Sequence, residues 1–102
     1  MKYITDIDVD MIGEKQDARY QRQYDPKEKN RILEYFRSYR PYMLTTAPAE
    51  DPFTHEQVGE ADFGYFDGEY AWYETEIYCF EKYDLALTDE FLAYIRKKMN
   101  IG

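Results

Sequence analysis

The sequence predicts one α+β domain, on three observations. Asp25-Pro26 opens a run whose apolar residues recur at helical spacing, Asp67-Gly68 divides two short aromatic-rich segments that alternate as strands do, and Thr88 precedes a second amphipathic run. Helices flanking a local hairpin, without the strand–helix alternation of a parallel sheet, define the α+β class. At 102 residues there is room for a single core. The expected layout is an arm over 1–24 and one domain over 25–102, with a helix at 26–40, a short strand near 42–46, a β-hairpin around 62–73, and two C-terminal helices near 75–83 and 88–99.

The arm is the least periodic part. Tyr3, Ile4, Ile7, Val9 and Ile12 fit a short edge strand, and Gly13-Glu14-Lys15-Gln16-Asp17 has no period. An edge strand or a partly mobile segment is expected there.

The first helix starts where Asp25 supplies an N-cap, Pro26 a first position that needs no donor, and Glu28 the third residue of a capping box. Ile32, Leu33, Phe36 and Tyr39 share one face, and Pro41 stops the helix. Tyr42-Met43-Leu44-Thr45-Thr46 suits a short strand, and Ala47-Pro48-Ala49-Glu50-Asp51-Pro52 a loop.

Asp67-Gly68 favours a two-residue turn with positive φ at both central positions. Tyr65 then faces Tyr70 and Phe63 faces Trp72, so these four rings share one side of the hairpin. That side is expected to be the core side, with Trp72 in the core. Gly64 and Ala71, flanked by Phe66 and Tyr73, lie on the other side, which accepts a helix at close range or stays exposed. Ile77 and Phe80 point inward from the next helix. Thr88 caps the last one, with Phe91, Leu92, Ile95 and Met99 on one face, Asp89 and Glu90 in the first turn, and Arg96, Lys97 and Lys98 in the last.

Charge is regional. Residues 50–84 hold eleven acids against the single base Lys82, a net −10, whereas each flank sums to +1. Ten of the nineteen aromatics fall in the same window. A dense anionic surface repels nucleic acid and suits a basic protein. The bases Lys27, Lys29, Arg31, Arg37 and Arg40 are expected to pair with the acidic segment, within the molecule or between copies.

Chemistry-bearing patterns are few. His55 is the only histidine and sits in a loop, Ser38 is the only serine, and the five glycines form no phosphate loop. One His and one Cys exclude a Cys/His zinc site. Asp67, Glu69, Glu74 and Glu76 have no calcium-loop spacing and suit a turn and a helix start. No catalytic residue, metal or cofactor is expected. The lone Cys79 reads as a buried small hydrophobe and suits a reducing cytoplasm. No apolar run reaches membrane-helix length and no apolar leader follows Met1.

Asp67-Gly68-Glu69-Tyr70-Ala71-Trp72, Ile77-Tyr78, Glu81-Lys82-Tyr83, Leu85-Ala86-Leu87 and Glu90-Phe91 together resemble the C-terminal pattern of small bacterial immunity proteins of polymorphic-toxin and contact-dependent inhibition systems. The resemblance covers about residues 50–96. Pro52-Phe53-Thr54 resembles the loop before that hairpin, where a Gly often follows the Thr and this chain has His55. The resemblance implies a non-enzymatic protein that binds and neutralises a cognate toxin domain, in many cases a basic nuclease. The expected contacts are Asp62, Asp67, Glu69, Tyr70, Glu74 and Glu76, with Glu60 beside them, since Tyr and desolvated carboxylates anchor tight interfaces. The alternatives are a self-associating module such as a homodimer, joined through the cationic helix and the acidic segment, and a small enzyme or ligand-binding domain with an aromatic pocket.

Overall fold

The computed structural model describes residues 2–15, 18–44 and 47–99. Its elements are β1 (Lys2–Tyr3), α1 (Ile12–Lys15), α2 (Pro26–Arg37), β2 (Met43–Leu44), β3 (Ala49–Glu50), β4 (Gln57–Gly59), β5 (Phe63–Phe66), β6 (Tyr70–Tyr73), α3 (Glu74–Tyr83) and α4 (Asp89–Lys98), with 3-10 turns at Val9–Met11 and Ala18–Tyr20. The α+β class stands, and each predicted helix is present. Thr45 and Thr46, the end of the predicted strand, lie outside the described residues.

Capping sets the helix starts. The Asp25 carboxylate accepts the Glu28 N–H at 3.2 Å, and Thr88 Oγ1 accepts the Phe91 N–H at 3.0 Å. The chain passes from β6 into α3 without a linker. There Glu76 reaches back to accept the Tyr73 N–H at 2.9 Å, and Asp62 accepts the Thr75 N–H at 3.0 Å. α2 ends at Arg37, short of residue 40. Residue 40 precedes a proline and is disfavoured in the helical region, and the unwound end lets the Tyr39 ring meet Trp72 edge-on at 5.7 Å.

Four strands form one sheet in the order β1-β6-β5-β2, with β1 parallel to β6 and the other pairs antiparallel. The hairpin turn centres one residue later than predicted. Asp67 N–H bonds the Tyr70 carbonyl at 3.1 Å, Gly68 takes φ +105°, and Tyr65 pairs with Trp72 instead of Tyr70. The cause is the Asp67 side chain, which accepts the N–H groups of both Glu69 and Tyr70 and so fixes the turn around Gly68-Glu69. This moves the register by two residues, which preserves side-chain parity. Phe63, Tyr65, Tyr70 and Trp72 therefore still share the core face.

α2 and α4 cover that face. Trp72 lies against Tyr35 and Phe36, and Tyr70 against Phe91 and Tyr94. Trp72, Phe36, Phe80, Phe91 and Ile95 are fully buried, so Trp72 is core. The buried aliphatic and aromatic groups form one cluster, each side chain adding on the order of 1.5–3 kcal/mol of burial.

Two features go beyond the helices and the hairpin, the first including the edge strand expected of the arm. The described part of 2–24 is built into the domain: β1 is an edge strand, Ile4, Val9 and Ile12 are buried, Thr5 Oγ1 donates to the Ala86 carbonyl, and Thr88 N–H donates to that of Ile4. The arm has no period because scattered hydrogen bonds, between Ile4, Thr5, Tyr20 and Arg22 and the 84–88 link, hold it in place instead of a helical or strand face. The second is a two-stranded sheet, with β3 inside the expected loop and β4 beyond its end.

Candidate functional site

Much of the acid-and-tyrosine concentration is internal. Asp67 has a side chain with 0% exposure. One oxygen accepts the N–H groups of Glu69 (2.8 Å) and Tyr70 (2.7 Å), and the other accepts the hydroxyls of Tyr35 (2.5 Å) and Tyr94 (2.8 Å). Lys98 donates to the Tyr94 oxygen at 3.1 Å and stands 3.9 Å from the carboxylate.

Asp51 repeats the same chemistry on another loop. Its Oδ1 accepts the N–H groups of Phe53 and Thr54, its Oδ2 the hydroxyls of Tyr78 and Tyr83, and Lys82 donates to Tyr78 at 3.1 Å. In each node a buried carboxylate ties a turn to two tyrosines, with a lysine four residues beyond one of them. Burial pushes both carboxyls up. At Asp51 the hydroxyls of Tyr83 and Tyr78 and the two amides outweigh it, and at Asp67 the Tyr35 hydroxyl leads, so both are held below the usual carboxylate range. Burial and these carboxylates hold the Tyr35 and Tyr83 hydroxyls protonated.

Six residues were expected to contact a partner. Tyr70 is 2% exposed and packs on α4, and Asp67 has its acceptors filled. Glu76 is 8% exposed and caps α3. These three serve the fold, because a packed ring or a saturated buried carboxylate offers nothing to an approaching surface. Asp62 and Glu74 are half-buried; Asp62 caps α3 and Glu74 accepts the Tyr65 hydroxyl. Glu69 is exposed, 3.8 Å from Lys2. The six also fall at two ends of the hairpin: Asp67, Glu69 and Tyr70 at the turn, Asp62, Glu74 and Glu76 at the start of α3.

The cations of α2 are partly spent inside the molecule: Lys29 pairs with Asp84 at 2.5 Å and Arg37 with Glu81 at 3.4 Å. Among the described residues, Asp8, Asp10, Glu50, Glu56 and Glu60 have no ion-pair partner, and all five are exposed. Two of these acids crowd against two others. Asp8, Asp10, Asp62 and Glu76 line a cleft of about 310 Å³ with Ile7, Val9 and Tyr73. Burial pushes the Asp10 carboxyl up, and Asp8, Asp62 and Glu50 push it further. Burial, then Asp62 and Asp10, raise Glu76 to about 8 against the pull of its bond from Tyr73. Reading the sequence missed Asp8 and Asp10 because they lie outside the acidic window. Only the path of the arm beside Tyr73 brings them to it.

His55 sits exposed in a turn at φ 61°. Among the described residues no group of three or more His, Cys, Asp or Glu is arranged to hold a metal ion, and no helix is long and apolar enough to cross a membrane. Cys79 is buried, and burial pushes its thiol up to about 12. Comparison with protein-family models, curated proteins and solved structures finds no match for the chain.

Proposed function

We propose that this chain is a non-enzymatic binder of a basic protein, acting in the cytoplasm as an immunity protein that neutralises a cognate toxin domain. The observation that carries the reading is that several exposed acids among the described residues, Asp8, Asp10, Glu50, Glu56 and Glu60 among them, have no ion-pair partner. Like charges held together raise the free energy of the unbound protein, and a Lys- or Arg-rich partner relieves it. The same field steers association with a basic surface and repels nucleic acid.

His55 adds support to the resemblance. It occupies the position where a Gly often stands in those proteins, and its φ of 61° is one that Gly adopts without strain. Self-association through α2 and the acidic segment has less support, since Lys29 and Arg37 already meet Asp84 and Glu81 within the chain.

Co-expression with the toxic C-terminal domain encoded beside its gene tests the proposal. The expected result is cell survival and a 1:1 complex that weakens at high salt. Glu50→Lys, Glu56→Lys and Glu60→Lys together should abolish the complex while leaving the fold intact. Neither survival nor a complex would overturn the reading.

A further inference from the structure

We propose that the uncovered face of the four-stranded sheet is the docking surface, with an apolar or aromatic patch of a basic protein seated on its centre and that protein's Lys and Arg side chains on its acidic margin. This deepens the reading of the chain as a binder of a basic protein and rests on it.

Register defines the face. Tyr3 pairs with Ala71, Phe66 with Ala71, Gly64 with Tyr73, and Met43 with Gly64. Directly opposed residues project to the same side, so these six positions lie on the side away from Trp72 and Tyr70. The ring contacts of α2 and α4 all fall on the other side, and the one described across this face is Tyr42 on Phe66 at 5.8 Å. Tyr3 is 61% exposed, Tyr42 71% and Met43 44%.

Gly64 flattens the centre. A Cβ there would stand 3.2 Å from the Tyr73 ring, so the missing side chain lets that ring lie across β5. Large exposed side chains such as Tyr3, Tyr42 and Met43 gathered on one face mark an interaction surface. Tyrosines suit one, since they bring large area with few rotors and a hydroxyl for the rim.

Charge selects the occupant. Tyr73 belongs both to this face and to the cleft that Asp8, Asp10 and Asp62 line. These three carboxylates make the margin anionic where the aromatic surface ends. A second copy would bring the same acids and a net −8 against itself, whereas a basic protein complements the margin.

The test uses the full 15N-labelled chain and a defined probe, an amphipathic β-hairpin peptide alternating Lys with Val and Tyr, beside a twin with Glu for every Lys. Saturable amide shifts should gather on Tyr3, Met43, Gly64, Phe66, Ala71 and Tyr73, with binding about tenfold weaker at high salt and none for the twin. Tyr42→Lys and Asp10→Lys alter exposed side chains. Each should leave the circular dichroism spectrum unchanged and weaken the peptide about tenfold, a shift of about 1.4 kcal/mol. Shifts gathered on α2 or α3, equal binding of the twin, or no binding at millimolar peptide would each overturn the proposal. So would a concentration-dependent dimer whose shifts cover this face, because the occupant would then be a second copy. Toxicity rescue reads the other question separately: peptide shifts on the face without rescue retain a basic partner that is not a toxin, and rescue with shifts elsewhere retains the immunity reading and moves its surface.

Discussion

Removing the Tyr94 hydroxyl isolates what the buried carboxylate of Asp67 contributes. In Tyr94→Phe the ring keeps its place against Tyr70, whose centroid is 4.6 Å away, while the 2.8 Å bond to Asp67 and the exposed bond from Lys98 are lost. A hydrogen bond to a charged acceptor contributes about 1.5–3 kcal/mol. For a domain of this size that lowers Tm by roughly 8–15 °C. Asp67→Asn removes the charge that four donors address, at about 3 kcal/mol. In the Asp67→Asn background, Tyr94→Phe should cost less than about 1 kcal/mol, because the acceptor is no longer ionised. Urea unfolding followed by the fluorescence of Trp72, the only tryptophan and fully buried, measures all four proteins. The pH dependence has a definite sign. Asp67 titrates lower when folded, so its contribution is complete above the unfolded carboxyl range, near pH 4, and falls as pH drops towards the folded value. The gap between wild type and Asp67→Asn should therefore shrink below pH 4. Equal effects of Tyr94→Phe in both backgrounds would refute the node as an energetic unit.

Glu76 behaves in the opposite sense: its folded value of about 8 means that its ionisation destabilises the fold as pH rises from about 4.5 to 8. Glu76→Gln, which keeps an acceptor for the Tyr73 N–H, should be near neutral at pH 5 and stabilising by up to about 4 kcal/mol at pH 8, read by chemical unfolding at both pH values. Gly13→Ala should destabilise by about 1–3 kcal/mol, because a Cβ there would stand 2.2 Å from the Pro52 carbonyl oxygen; a thermal melt checks it. His55→Gly should stabilise by about 1 kcal/mol by relieving the backbone at φ 61°, and an unchanged or lower Tm would contradict that account.

Some of the site was legible in the chain and some was not. The excess of acids with tyrosines over 50–84 was visible, but its meaning divides. Asp51 and Asp67 accept tyrosine hydroxyls in the interior, and Glu76 and Asp62 cap a helix. A count of charges cannot distinguish a carboxylate that holds the fold from one that faces water, since both look alike in one dimension. The Tyr78/Lys82 and Tyr94/Lys98 spacings were a usable signal: four residues on a helix place the ammonium beside the ring. Nothing in the spacing pointed to Tyr35 or Asp51 as their counterparts, which lie 27 or more residues away from them.

What the sequence determined alone is local. Caps at Asp25 and Thr88, the stop at Pro41, the helical apolar faces and the two-sided hairpin follow from hydrogen bonds and periodicities within a few residues. Parity of the hairpin survived a shifted turn because a strand alternates with period two. Tertiary structure decided the rest: that the arm hydrogen-bonds to the 84–88 link, that Asp8 and Asp10 join Asp62 and Glu76, and that helices cover one sheet face and leave Tyr3, Tyr42 and Met43 open. These depend on closing loops that span much of the chain, where burial and pairing of the whole molecule choose the neighbours and no local pattern carries the choice.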